Sequence, residues 1–74
     1  MFNKDLFKAQ MLIAKVSIED IAQALGINVT TVYRKLADNG RFDRDEIAIL
    51  VKVLKIDTLE LMNRIFFATE LTEK

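Results

Sequence analysis

The sequence predicts an all-α fold of five short helices, and three observations carry that expectation. Its 74 residues include no proline and only two glycines, so little interrupts helical structure. Apolar residues recur at intervals of three and four, and no segment shows the clean alternation of a half-buried strand. Short polar residues followed three positions later by a carboxylate mark helix starts at several places.

The elements follow in order. The first helix is expected near residues 4–15, with Phe7, Met11 and Ala14 on one stripe. Ser17 and Asp20 form a shortened capping box that opens a second helix over 18–25, carrying Ile18, Ile21, Ala22 and Leu25 inward. Gly26 tolerates the left-handed conformation and stops it. The third helix, 29–37, begins behind Asn28 and ends before Asn39-Gly40. Asp43 with Glu46 opens the fourth, 44–54, whose stripe is Ile47, Leu50, Val51 and Leu54. Asp57 with Glu60 opens the fifth, 58–67, with Met62, Ile65 and Phe66 inward. Residues 1–68 then form one domain, and 69–74 a frayed tail with one isolated leucine.

Composition narrows the function. At 51% hydrophobic residues there is enough apolar material for a small core. No cysteine means no disulfide framework or Cys-based zinc site, and no histidine removes the usual metal ligand and general base. With no glycine-rich loop, and carboxylate pairs explained as helix caps, the residues point away from an enzyme and imply no metal or cofactor. The longest apolar run, Ile47 to Val51, is far short of a membrane span, and the start of the chain lacks a secretory pattern. A cytoplasmic protein without membrane contact is expected. Eleven basic residues offset eleven acidic ones, which argues against indiscriminate coating of nucleic acid.

Helices two and three are separated by Gly26-Ile27-Asn28 alone, and so short a turn forces a steep crossing. Ala22 is small where the helices approach, and Ile27 and Val32 are placed to fill the wedge between them. The pattern is that of a helix-turn-helix, against the alternative of an ordinary helical hairpin. Asn28 is positioned to cap the third helix, leaving Val29, Thr30, Tyr33 and Arg34 on its early, outward surface.

These residues carry a resemblance. The stretch Ser17-Ile18-Glu19-Asp20-Ile21-Ala22-Gln23-Ala24-Leu25-Gly26-Ile27-Asn28, with Thr30-Thr31-Val32, Glu46-Ile47 and Leu54-Lys55-Ile56, resembles the Cro/lambda-repressor-like (XRE-type) DNA-binding family. Tyr33-Arg34-Lys35-Leu36 and Ile65-Phe66-Phe67-Ala68 look like a subgroup of small phage and prophage regulators. The resemblance implies a compact five-helix lambda-repressor-like domain, its third helix in the major groove, working as a dimer. Thr31-Val32-Tyr33-Arg34 also looks like the helix-turn-helix module of serine recombinases, but here two further amphipathic helices follow. Where many relatives carry a buried arginine–glutamate pair between helices one and three, this chain has Met11 and Leu36, expected to touch in the core. Lys35 stands where relatives often carry an apolar residue, and Leu36 is expected to take over its packing and free Lys35 for a phosphate.

Arg34 is the leading base reader, because a guanidinium bidentate to guanine is the commonest specific contact. Val29 and Thr30 are candidates for thymine methyls, and Tyr33 for a base or a phosphate. Phosphate contacts are expected at the start of the second helix, at Ser17 and Ile18, and from Asn28, Thr31, Lys35, Asn39, Arg41 and Arg44. Residues 28–44 hold four basic and two acidic side chains and 57–74 the reverse, which turns the third helix toward DNA. Adjacent Phe66 and Phe67 cannot share one stripe; Phe66 is expected inward, with Phe67 outward beside Leu59 or Arg64 at a dimer interface. The expected function is a transcriptional regulator, of phage Cro/repressor type, binding a pseudo-palindromic operator as a homodimer. The rival is an antitoxin-like or antirepressor-like module that binds a protein through the same fold.

Overall fold

Four of the five helices start at a side chain that takes up a free backbone N–H, and these caps set the element boundaries. The computed structural model describes residues 2–67, so the expected tail at 69–74 and the domain boundary at 68 lie outside the described residues. Helix α1 spans Lys4–Ala14, α2 Ile18–Leu25, α3 Val29–Ala37, α4 Arg44–Val53 and α5 Leu59–Met62, which continues in wider π turns over Asn63–Phe67. Among the described residues there is no strand.

Asn3 Oδ1 accepts from the Leu6 N–H at 3.0 Å, a cap the sequence reading missed. At α2, Ser17 Oγ accepts from Asp20 N–H at 3.1 Å while Asp20 Oδ2 accepts from Ser17 N–H at 2.9 Å, so the short aspartate closes the box. Asp43 and Glu46 do the same for α4 at 2.8 and 3.0 Å. The expected box at Asp57 and Glu60 does not form. Thr58 Oγ1 accepts from Leu61 N–H at 3.1 Å and starts α5 one residue later. Glu60 thereby loses the position from which it could reach back, and pairs with Arg64 at 3.5 Å.

Three helix ends share one device. After α1, α2 and α4 a residue in the left-handed region is followed by an apolar one: Lys15-Val16, Gly26-Ile27 and Lys55-Ile56. In each pair the second N–H reaches five residues back, to the carbonyls of Met11, Ala22 and Val51 at 2.9, 3.0 and 2.9 Å. The apolar residue then packs on the core: Ile56 is buried, and Val16 and Ile27 lie against it. After α3 the chain turns through Asn39 and Gly40, both left-handed.

Helices α1 to α4 each contribute a fully buried side chain, Phe7, Ile21, Val32 and Leu50, joined by Ile65 of the π segment and by Leu54 just past α4. Helix α2 packs on α3 and α4, and α1 on the π segment. Gln10 is buried, and its Nε2 donates to the Leu54 carbonyl at 2.8 Å, tying α1 to the end of α4. Leu36 is buried, Met11 is half-buried against the core, and both line one groove between α1 and α3. Phe66 is 7% exposed and Phe67 47%, and the wide π winding lets the successive Ile65 and Phe66 both face inward.

Four phenylalanines close the core. The rings of Phe2, Phe7, Phe42 and Phe66 all lie within 5.4–6.4 Å of one another, centre to centre. Gly40 lies flush against this cluster, and a methyl group on it would overlap the Phe2 ring. Gly26, at φ +70°, has open space where its side chain would be. Gly40→Ala should therefore cost roughly 2–5 kcal/mol, from overpacking and left-handed strain together, against about 1–2 kcal/mol for Gly26→Ala from strain alone. Urea unfolding of both variants checks this, and the Gly40→Ala cost should shrink in a Phe2→Ala background. Equal costs for the two would refute the Phe2 contact.

Candidate nucleic-acid interface

Helices α2 and α3 are joined by residues 26–28 and pack on each other. Ala22 and Val32 are buried, and Ile27 is half-buried against the core. Burial of Val32 and Leu36 fixes how α3 is rotated. Thr30 and Arg34, one turn apart, are both exposed and stack on the outward face. Tyr33, 57% exposed, forms one wall of the groove shared with α1. Val29 is half-buried against the core, so only part of its surface is open to a base.

On the other flank, Thr31, Arg34, Lys35, Asp38 and Arg41 line a shallow cleft of about 190 Å³. Three cations and one carboxylate give it a positive balance. Arg41 Nε lies 3.1 Å from Asp38 Oδ2, but both groups are solvent-exposed, so water and salt weaken their hold.

Lys35 departs from the expectation of a free phosphate contact. Its Nζ is 3.4 Å from Glu46 Oε1, donates to the Arg41 carbonyl at 3.4 Å, and lies 6.0 Å from the Phe42 ring centre. The cause is the α4 capping box, which holds the Glu46 carboxylate where α3 passes it. Lys35 braces α3 against α4 more than it faces solvent. Arg44 also separates from the cluster: it is exposed on a second groove, between α4 and α5, that Phe67 also lines. Leu59 is exposed, and Arg64 is exposed but paired with Glu60.

Helix ends discriminate further between the candidate phosphate sites. The start of α2 was expected to hold a phosphate at Ser17 and Ile18. Its cap is occupied by the Asp20 carboxylate, Glu19 adds a second negative charge in the first turn, and Ile18 is half-buried. Both charges oppose an anion there. Helix α3 is the opposite case. Asn28 occupies the cap position but its side chain makes no cap bond, and the first turn carries no acidic residue. Among the described residues it is the one α-helix start without a side-chain cap. Asn39, in the left-handed region after α3, is exposed.

The sequence signals for these differences were weak. Asn28 reads as a cap from its identity alone, and only its geometry shows that the side chain is not used. Glu46 reads as a cap residue, and only the fold brings Lys35 to it. Among the described residues no group of three or more acidic, histidine or cysteine side chains is arranged to hold a metal, and no helix is long and apolar enough to cross a membrane. Comparison with protein-family models, curated proteins and solved structures finds no match to this chain.

The Ser17 backbone N–H, and secondarily its hydroxyl, hold the Asp20 carboxyl below its ordinary value of 3.8. A lowered carboxyl value stabilises the fold through the charged form. That contribution is complete above the ordinary value and is lost as pH falls through the lower folded one. An NMR titration should place the Asp20 midpoint lower in the folded chain than in urea, and Ser17→Ala should raise it. A folded midpoint equal to the unfolded one would remove the box as an electrostatic stabiliser.

Proposed function

We propose that this chain is a sequence-specific double-stranded DNA-binding regulator rather than an enzyme, with α2 and α3 as its helix-turn-helix. The observation that carries this reading is the surface of α3: an uncapped N-terminus, with Thr30 and Arg34 exposed on successive turns behind it. Free N–H groups and the positive end of the helix dipole favour a phosphate at that terminus. Arg34 then reads a guanine, Thr30 a thymine methyl or a neighbouring acceptor, and the cleft cation Arg41 meets the backbone. The resemblance of Ser17 to Val32 to the XRE-type family supports the same assignment. Tyr33 is turned toward α1 and takes a peripheral contact.

Two recognition helices one helical turn apart require a dimer on a pseudo-palindromic operator. Leu59, Arg64 and Phe67 are the proposed contacts between copies, since all three are exposed along α5 and its π continuation. Zero net charge makes non-specific binding weak, so affinity rests on base contacts and on pairing of copies.

Selection from a random duplex pool at two salt concentrations tests the assignment. A defined operator should emerge, with affinity that falls as salt rises. Arg34→Ala should weaken operator binding by about 1–3 kcal/mol and relax preference at one base pair. Lys35→Ala should instead act mainly on stability, through the lost Glu46 contact. An unchanged preference in Arg34→Ala removes that residue from the reading set. Failure to enrich any duplex would shift the function to protein binding through the same fold.

A further inference from the structure

One open surface groove does not belong to the outward face of α3. Between α1 and α3 runs a groove of about 700 Å³, lined by Met11, Leu12, Val16, Tyr33 and Leu36. Leu12 is 80% exposed and Tyr33 57%, so two large side chains of the groove stand open to water together. Lys4 and Lys8, one turn apart on α1, form the charged rim, and among the described residues no carboxylate lines the groove.

We infer that this groove is a docking site for an acidic amphipathic helix of a partner protein. Two helices with an apolar trough between them take a third helix through side chains spaced three and four residues apart. The two lysines select its charge, since carboxylates on the partner would face Lys4 and Lys8 while its apolar stripe covers Leu12 and Tyr33. A symmetric pairing with a second copy of this chain is disfavoured, because this face would offer the lysines no carboxylate: among the described residues the groove carries none. A small molecule fits less well, because Leu12 and Tyr33 leave the walls open to water, whereas ligand pockets enclose most of their ligand. Nucleic acid offers no apolar stripe to cover Leu12. The inference is independent of the reading of Arg34.

A display library of randomised helical 14-residue peptides, selected against the full chain, is the direct test. Enriched peptides should combine Leu, Ile or Phe at three- and four-residue spacing with Glu or Asp toward one end. Leu12→Asp and Lys8→Glu should each weaken the selected peptides about tenfold or more. Ile13→Asp, at a residue 71% exposed on the other side of α1, should leave them unchanged. All three positions are exposed, so the fold should survive, and circular dichroism checks that it does. No enrichment, enrichment without acidic residues, or equal loss with Ile13→Asp would overturn the inference. So would a self-association in sedimentation that Leu12→Asp abolishes, which would make a second copy the occupant. If no peptide is enriched and Lys8→Glu weakens duplex binding, the rim serves DNA instead.

Discussion

The meeting of four phenylalanine rings is the contact on which the rest of the structure depends. Phe2 precedes α1, Phe7 lies within it, Phe42 comes from the connection between α3 and α4, and Phe66 from the π segment. Each buried ring contributes about 1.5–3 kcal/mol by leaving water, and well-oriented pairs add about 0.5–1.5 kcal/mol more. The connection carrying Phe42 makes few other ties: Gly40 and Arg41 donate to the Lys35 carbonyl, and Phe42 donates back to Gly40. Anchoring the ring therefore anchors the loop, and the loop positions Arg41 and the carbonyl that receives Lys35. The cleft beside α3 inherits its shape from a core contact on the far side of the connection.

Charge is distributed so that a neutral chain still presents one positive helix end. Asp20, Asp43 and Glu46 are consumed in caps, while Asp38 and Glu60 face Arg41 and Arg64. Glu46 has two duties, since one oxygen accepts from the Asp43 N–H and also meets the Lys35 ammonium. The start of α4 and the flank of α3 are thus coupled through a single half-buried carboxylate. The sum of charges alone hides this arrangement.

Most helix boundaries were legible in the sequence because caps and apolar stripes are local and repeat along the chain. Capping at Ser17 and Asp43 and the stop at Gly26 follow directly from residue type and spacing. At Asp57 and Thr58 two adjacent residues compete for one cap, and residue preference favours Asp57, whereas the chain uses Thr58. Lys15 and Lys55 do not look like helix stops, yet each precedes an apolar residue as Gly26 does, and that shared pattern is the usable signal. Phe2 and Phe42 lie outside helices, where no periodicity assigns a side chain to the core. Among the candidate site residues, Thr30 and Arg34 could be placed outward from the stripe that Val32 and Leu36 define. The inward pull on Lys35 and the partial burial of Val29 depend on α4 and the core, which local patterns do not contain.

The same aromatic cluster constrains the order in which the chain can fold. Phe2 meets Phe66 at 6.1 Å, and the Asn3 N–H donates to the Ile65 carbonyl at 2.7 Å, so the two ends of the described chain close on each other. Helices form from local contacts, but these long-range contacts require loop closure over nearly the whole chain. During synthesis α2 and α3 leave the ribosome well before Phe66 does. Until it arrives, Phe2, Phe7 and Phe42 lack their fourth ring, and the loop behind α3 is unanchored. The loop behind α3, and Arg41 with it, is therefore anchored only once α5 and its π continuation have been made.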